Sequence, residues 1–144
     1  MTVIEAVRGW LKTCPLLEDE RLNIDFLPIE AQSYSVEAVP GRGTIEKYMD
    51  GSAIKQFLFV IASREFSGDD LAQNADNLQF YEALADWVER QNHRPKHLPD
   101  LGEGRDARKI EVTTPGYLFY SDDQGTARYQ IQMALTYTER GARL

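Results

Sequence analysis

The longest uninterrupted apolar run of the chain, residues 57–62, lies near its centre, within a predicted strand at residues 52–66. Between positions 57 and 62 apolar residues occupy both sets of alternating positions, so both faces of a strand would be apolar. Such a strand is normally a central strand that is covered on both sides. Asp50-Gly51, directly before it, is typical of a tight hairpin turn. The pattern therefore predicts a central strand that is entered through a hairpin from a strand at residues 44–49.

Two segments carry apolar residues at the three- and four-residue spacing of an amphipathic helix. The first is residues 2–14, where Thr2 and Glu5 have the spacing of a capping box. The second is residues 78–92, and Asn77 is its predicted N-cap because a short polar side chain can accept from a free backbone N–H. Both stripes are broad, so both helices are expected to pack on the sheet.

The other strands are predicted from alternating apolar and polar positions. They are residues 22–28, 33–39, 109–120 with a bend at Pro115, and 126–137. Turn and loop residues predict an exposed loop at 91–108, a hairpin turn at 122–125 and a frayed tail from Arg140. The order is a helix, four strands in a meander, a helix and two long strands. It predicts one α+β domain over residues 1–144, mostly antiparallel sheet packed with an N-terminal helix and a central helix.

The composition reduces the number of functional classes to which the protein could belong. The chain has 144 residues, a net charge of -7 and a pI near 4.8. This acidity argues against a general nucleic-acid binder, whose affinity comes from Lys and Arg, but it permits a surface past which DNA slides. Cys14 is the single cysteine, so no internal disulfide can form. The sequence has no signal-peptide pattern and no membrane span, and we expect a protein that folds in a cytoplasm.

No motif predicts catalysis. His93 and His97 have the spacing of two metal ligands on one helix face, but Pro95 lies between them and no third ligand has a matching spacing. Cys14 has no activating partner nearby and is predicted to be a small core residue. We therefore predict no catalytic residue, no metal and no cofactor, and a protein that is not an enzyme.

The polar side of the last strand is the candidate interaction surface. Arg128, Gln130 and Gln132 follow one another on this side. They could form an ordinary solvated sheet face, a polar subunit interface or the wall of an aqueous channel. A ring needs two different patches on each subunit, and the loop at 91–108, with His97 and Arg105, is the second candidate patch.

Five short segments, taken in order, carry a family resemblance. They are Tyr48-Met49-Asp50-Gly51-Ser52 leading into Lys55-Gln56-Phe57; Phe80-Tyr81-Glu82 with Ala85-Asp86-Trp87 and Glu89; Leu98-Pro99-Asp100-Leu101-Gly102; Gly116-Tyr117-Leu118; and Ala127-Arg128-Tyr129-Gln130-Ile131-Gln132. Together they resemble the small minor capsid or tail-terminator proteins of Firmicutes phage and prophage tail modules. The resemblance covers roughly residues 33–138.

The resemblance implies a structural role without catalytic residues or cofactors. Tail terminators assemble as a ring on the finished tail tube, stop its polymerisation and present a surface to the head connector. It thus implies a homo-oligomer, with a hexamer as the first expectation, whose partners are the tail-tube protein and the head-completion or connector protein. DNA would pass through the lumen without specific binding. The protein would assemble in the bacterial cytoplasm and reside in the virion tail, without contact with a membrane.

Two alternatives stay open. The chain could be a small-molecule-binding or enzymatic α+β domain, or it could be another neck or tail-tube component of the same module.

Overall fold

The computed structural model describes residues 1–41, 43–68, 71–122 and 125–141. Over these residues the chain forms two α-helices and six β-strands. In chain order they are α1 (Val3–Leu11), β1 (Leu22–Ile24), β2 (Ser33–Ala38), β3 (Thr44–Lys47), β4 (Ala53–Phe66), α2 (Leu71–Gln91), a 3₁₀ turn (Pro95–His97), β5 (Arg105–Ser121) and β6 (Thr126–Glu139). The predicted α+β class, with a mostly antiparallel sheet and two helices, is confirmed.

The central strand is confirmed as well. The strand order is β1-β2-β4-β6-β5, and β3 pairs with β4 beyond the end of β2. β4 pairs with β6 along its whole length, from Ala53 opposite Glu139 to Phe66 opposite Thr126. Four successive residues of β4, and therefore residues on both of its faces, are buried: Phe59, Val60, Ile61 and Ala62.

Both helices lie on the same face of the sheet. The rings of Trp10 in α1 and Trp87 in α2 are 4.9 Å apart, so the helices touch each other over the core. The ring of Phe80 in α2 lies 5.7 Å from that of Tyr34 in β2. At the start of α1 the Thr2 hydroxyl accepts from the Glu5 N–H at 3.2 Å, which confirms Thr2 as the N-cap.

The strand predicted at residues 22–28 is wrong beyond Ile24, and the meander is wrong at its first strand. β1 has three residues and runs parallel to β2, whereas hairpin-linked strands would be antiparallel. Asp25 adopts a φ of +51°, which ends the extended backbone. Its carboxylate accepts from the Ala38 N–H at 3.0 Å, so a tertiary contact stabilises this bend.

The start predicted for the second helix is wrong too. α2 begins at Leu71, so Asn77 lies inside the helix and is not its N-cap. The Asn77 side chain is buried and donates to the Phe66 carbonyl oxygen at 2.9 Å. Asn74 donates likewise to the Gly68 carbonyl oxygen at 2.8 Å. The first half of α2 is attached to the end of β4 by polar contacts, and therefore it lacks the apolar stripe from which helices are predicted.

The loop predicted at residues 91–108 is shorter and less exposed than expected. β5 begins at Arg105, and the buried side chains of Leu98 and Leu101 belong to the core. The indole N–H of Trp10 donates to the His97 carbonyl oxygen at 2.7 Å. This segment therefore covers the end of the helix-side core that α1 and α2 leave open.

The last hairpin, formed by β5 and β6, differs from its prediction at Pro115 and at Arg140. β5 continues through Pro115 as one strand. Its register with β6 shifts at several positions, so bulges replace the bend that was expected at Pro115. Arg140, predicted to fray, donates its N–H to the Gly104 carbonyl oxygen at 2.8 Å. Residues 142–144 of the predicted tail, and residues 123–124 of the predicted turn, lie outside the described part of the chain.

Candidate functional site

The side of the sheet that faces away from the helices, called here the open face, carries the predicted polar residues. Its centre is an ion pair between Arg128 in β6 and Glu37 in β2, with N–O distances of 2.9 and 3.2 Å. β2 and β6 flank β4, so this two-pronged pair spans the central strand. Two hydrogen bonds in parallel fix both the position and the orientation of the guanidinium group.

Arg128 has two further contacts on this face. Its Nε donates to the Gln130 Oε1 at 3.0 Å, and its guanidinium carbon lies 5.3 Å from the centre of the Phe119 ring. The phenol oxygen of Tyr117 accepts from Gln130 at 2.5 Å and from Gln132 at 3.1 Å. The structure therefore brings Arg128, Gln130 and Gln132 into one network that also holds two aromatic rings.

This network is satisfied within one subunit. The exposed fractions are 19% for the Arg128 side chain and 22% for that of Glu37, while Gln130 is 5% exposed. Linked hydrogen bonds in a partly desolvated site make the side chains rigid. A surface of this kind is already ordered before any neighbour approaches. That Arg128, Gln130 and Gln132 contact another subunit stays a prediction.

The other two candidates, His97 and Arg105, lie elsewhere. Arg105 is opposite Glu139 at the far end of β6 from Arg128, about 35 Å away at the rise of a β-strand. Its guanidinium donates to the carbonyl oxygens of Leu101 at 3.0 Å and Met1 at 2.8 Å. His97 is exposed in the 3₁₀ turn beside α1. His97 and Arg105 therefore lie apart from the network of Arg128, Gln130 and Gln132 on the open face.

Three partners in the network were missed: Glu37, Tyr117 and Phe119. Alternation places Glu37 on the polar side of β2, and this was the available signal. The sequence does not show which strand lies beside β2 or in which register. The ion pair joins residues 91 positions apart, so nothing local indicates it.

A second polar cluster is buried on the helix side of β4. Tyr81 donates to the Tyr129 carbonyl oxygen at 3.1 Å, which leaves its oxygen, 2.5 Å from the Ser63 hydroxyl, to accept from Ser63. Burial raises the pKa of Glu65, against the opposing effect of its hydrogen bonds to Ser63 and Tyr34. Burial also raises the pKa of the Tyr81 phenol. Ser63 and Tyr81 are both buried, and each is satisfied by the hydrogen bonds of this cluster.

A cavity on the helix side of the sheet is large enough for a small molecule. It has a volume of about 750 Å³ and lies between the first half of α2 and the β5–β6 hairpin. Its apolar wall includes Leu78, Leu118 and Tyr129, and its polar groups include Asn74 and Asp122. Ligand-binding pockets in proteins span about 300–1,000 Å³ and are mostly apolar with a few polar groups.

In the described part of the chain, no three His, Cys, Asp or Glu side chains are grouped as a metal ion would need. None of its helices has both the length and the apolar character to cross a bilayer. Burial raises the pKa of the Cys14 thiol, which lowers its reactivity.

Comparison of the sequence with protein-family models and with curated proteins gives no match. The resemblance to tail terminators therefore depends on the five segments given above.

Proposed function

We propose that the chain is a structural phage or prophage tail protein, a terminator that closes into a ring on the tail tube. In this role it ends tail polymerisation and joins the tail to the head connector. It acts through protein–protein contacts, with no catalytic residue and no cofactor. It assembles in the bacterial cytoplasm and remains in the virion tail.

The observation that supports this role best is the ordered open face. Both helices cover the opposite side of the sheet, while Arg128, Glu37, Gln130 and Tyr117 hold one another in place on this side. Association costs free energy when side chains must be ordered at an interface, and a preformed surface lowers that cost. The net charge of -7 also suits a lumen that lets DNA pass without holding it.

The proposal is tested first by native mass spectrometry over a range of protein concentrations, with negative-stain imaging of large species. We expect a closed ring, with six copies of the 16.4 kDa chain as the first candidate. Open tubes made by the chain alone would instead identify a tail-tube component of the same module.

The role itself is tested by deleting the coding sequence from the prophage that encodes it. We expect tails of uncontrolled length without heads, and normal tails when the gene is supplied in trans. Tails of normal length that still lack heads would identify another neck component. Infectious virions in the absence of the chain would refute the proposal.

The cavity of about 750 Å³ favours one other function, the binding of a small, largely apolar molecule. A bound ligand raises the melting temperature in proportion to the logarithm of its concentration. A thermal-shift screen would detect such a ligand, and Leu118→Asp, at the half-exposed wall of the cavity, should abolish the shift. A screen without any hit leaves the tail proposal as the better explanation.

A further inference from the structure

The outer edge of β5 is blocked between Ile110 and Pro115 by the end of α2. The side chain of Asn92, directly after α2, accepts from the Ile110 N–H at 2.8 Å and donates to the Ile110 carbonyl oxygen at 2.6 Å. Glu89 accepts from the Val112 N–H at 3.2 Å, and Pro115 has no N–H. These side chains bind the backbone groups that a neighbouring strand would bind, so this part of the edge is closed to further strands.

The rest of the same edge, residues 116–121, lacks this cover. Outside the ladder with β6, no side chain or loop among the described residues forms a hydrogen bond to its backbone. Edge strands of this kind can bind an extended segment of another polypeptide, which adds one strand to the sheet. Side chains of β5 point to both sides here: Leu118 lines the cavity on the helix side, and Phe119 packs against Arg128 on the open face. An added strand would also direct its side chains to both sides.

The cavity of about 750 Å³, called here the larger cavity, lies beside this free edge. α2 packs closely on β5 at Gly116, where an added Cβ would be 2.2 Å from the Tyr81 side chain. Towards its N-terminus the helix leaves β5, because Asn74 and Asn77 attach it to the backbone at the end of β4. The larger cavity is the gap that results, with Leu78 in its apolar wall. A strand added at residues 116–121 would direct its helix-side side chains into this gap.

A second cavity, called here the smaller cavity, adjoins the larger one along the same edge. It has a volume of about 340 Å³ and shares Leu78 and Gly116 with the larger cavity. Its lining includes Pro115 and two acidic residues one turn apart on α2, Glu82 and Asp86. Both acidic residues are exposed, and neither forms an ion pair with another described residue. Complementary charge across an interface selects partners, so this cavity favours a cationic side chain.

We infer that the free edge of β5 binds an extended peptide segment of a partner protein, with an apolar side chain in the larger cavity and a Lys or Arg side chain beside Glu82 and Asp86. Alternate residues of a strand face the same side and lie about 6.8 Å apart, so the two side chains are two positions apart in the peptide. Antiparallel pairing, the more stable kind, puts the apolar residue first, because the larger cavity lies nearer the β5–β6 turn. This inference goes beyond the tail role and does not depend on it.

Binding of labelled hexapeptides, measured by fluorescence anisotropy at low ionic strength, tests the chemistry of the peptide. The peptides carry Leu, Ile or Phe at the third position, Lys or Arg at the fifth position, and Ser or Thr elsewhere. We expect saturable binding of at least one of them to the full chain. Glu in place of the basic residue should weaken binding about tenfold or more, because the attraction to Glu82 and Asp86 becomes repulsion. Absence of saturable binding by all six combinations would refute the inference.

Two further measurements test whether the peptide pairs as a strand. N-methyl groups are placed on the odd-numbered nitrogens of one peptide and on the even-numbered nitrogens of another, and only one of these sets faces β5. One peptide should therefore lose about tenfold or more in affinity, while the other binds like the parent. Binding should also slow amide hydrogen exchange within residues 116–121 and leave Ile110 and Val112 unchanged. Equal affinity of all three peptides, or slowed exchange only in other segments, would refute strand pairing at this edge.

An exchange of charges tests the smaller cavity. A variant with both Glu82→Lys and Asp86→Lys should bind the basic peptide about tenfold more weakly and the peptide with Glu about tenfold more tightly. Both residues are exposed, so the fold should be unaffected. A variant with both Glu30→Lys and Glu46→Lys is the matched control, because it changes the net charge equally at exposed sites on the β1 and β3 side of the sheet. Equal effects of the two variants would mean that the peptides respond only to net charge, and this would refute the site.

Discussion

Replacement of Phe59 by alanine tests the central position of β4. Phe59 has no exposed surface and lies opposite Ala38 in β2 and Met133 in β6, so its neighbours on both sides are fixed by strand pairing. A buried Phe→Ala change removes apolar burial and leaves a cavity, which together cost about 3–5 kcal/mol. The total free energy of unfolding of a domain of this size is about 5–15 kcal/mol. We expect Phe59→Ala to fold but to lose a large part of its stability.

Urea unfolding followed by circular dichroism measures the loss. With a slope of about 2 kcal/mol per molar urea, a loss of about 4 kcal/mol shifts the midpoint by about 2 M. Phe57→Ala is the matched control, because Phe57 is on the same face of β4 but only partly buried. Phe57→Ala should lower the free energy of unfolding clearly less than Phe59→Ala does. A loss below about 1 kcal/mol for Phe59→Ala, or equal losses for both variants, would refute the central-strand assignment.

Three further predictions concern burial, steric space and the sheet edge. The raised pKa of Glu65 means that its favourable contribution is complete below its unfolded-state pKa, about 4.3, and is lost as the pH rises through its folded-state pKa. Glu65→Gln should therefore raise the melting temperature at pH 8 but not at pH 4, and an equal rise at both would refute this reasoning. Gly116→Ala would place a Cβ 2.2 Å from the Tyr81 side chain, so we expect strong destabilisation in thermal unfolding. Gly9→Ala, in open space inside α1, is its control and should stabilise by about 0.5–1 kcal/mol. Asn92 accepts from the Ile110 N–H at 2.8 Å and donates to the Ile110 carbonyl oxygen at 2.6 Å at the edge of β5. Asn92→Ala should therefore lower stability by about 1–3 kcal/mol and increase aggregation measured by light scattering; unchanged stability would mean that water replaces these two bonds to Ile110.

Much of the fold could be predicted because burial repeats with the period of the secondary structure. The double-sided apolar run identified β4 as a central strand, and the strict alternation in β6 separated its core side from its polar side. The helical stripe identified the second half of α2. In each case the signal lies within one segment, and the hydrophobic effect acts on it in the same way whatever its neighbours are.

The misplaced element ends have a different cause. The first half of α2 is attached to the end of β4 by Asn74 and Asn77, and Asp25 ends β1 by binding Ala38. Asparagine and aspartate bond to backbone groups in caps, turns and loops alike, so their presence does not say which of these they form. The backbone group that the side chain binds decides which of these structures forms, and that group lies outside the segment from which the prediction is made.

The sequence by itself determined the class of fold, the central strand and the polar character of one sheet face, because these follow from local periodicity and composition. Only the tertiary structure decided what those polar residues do. It pairs Arg128 with Glu37 across β4, and it places the Asn92 side chain on the backbone of Ile110 at the edge of β5. Such relations depend on strand order and register. Register is the outcome of packing among all segments at once, and no single segment contains it.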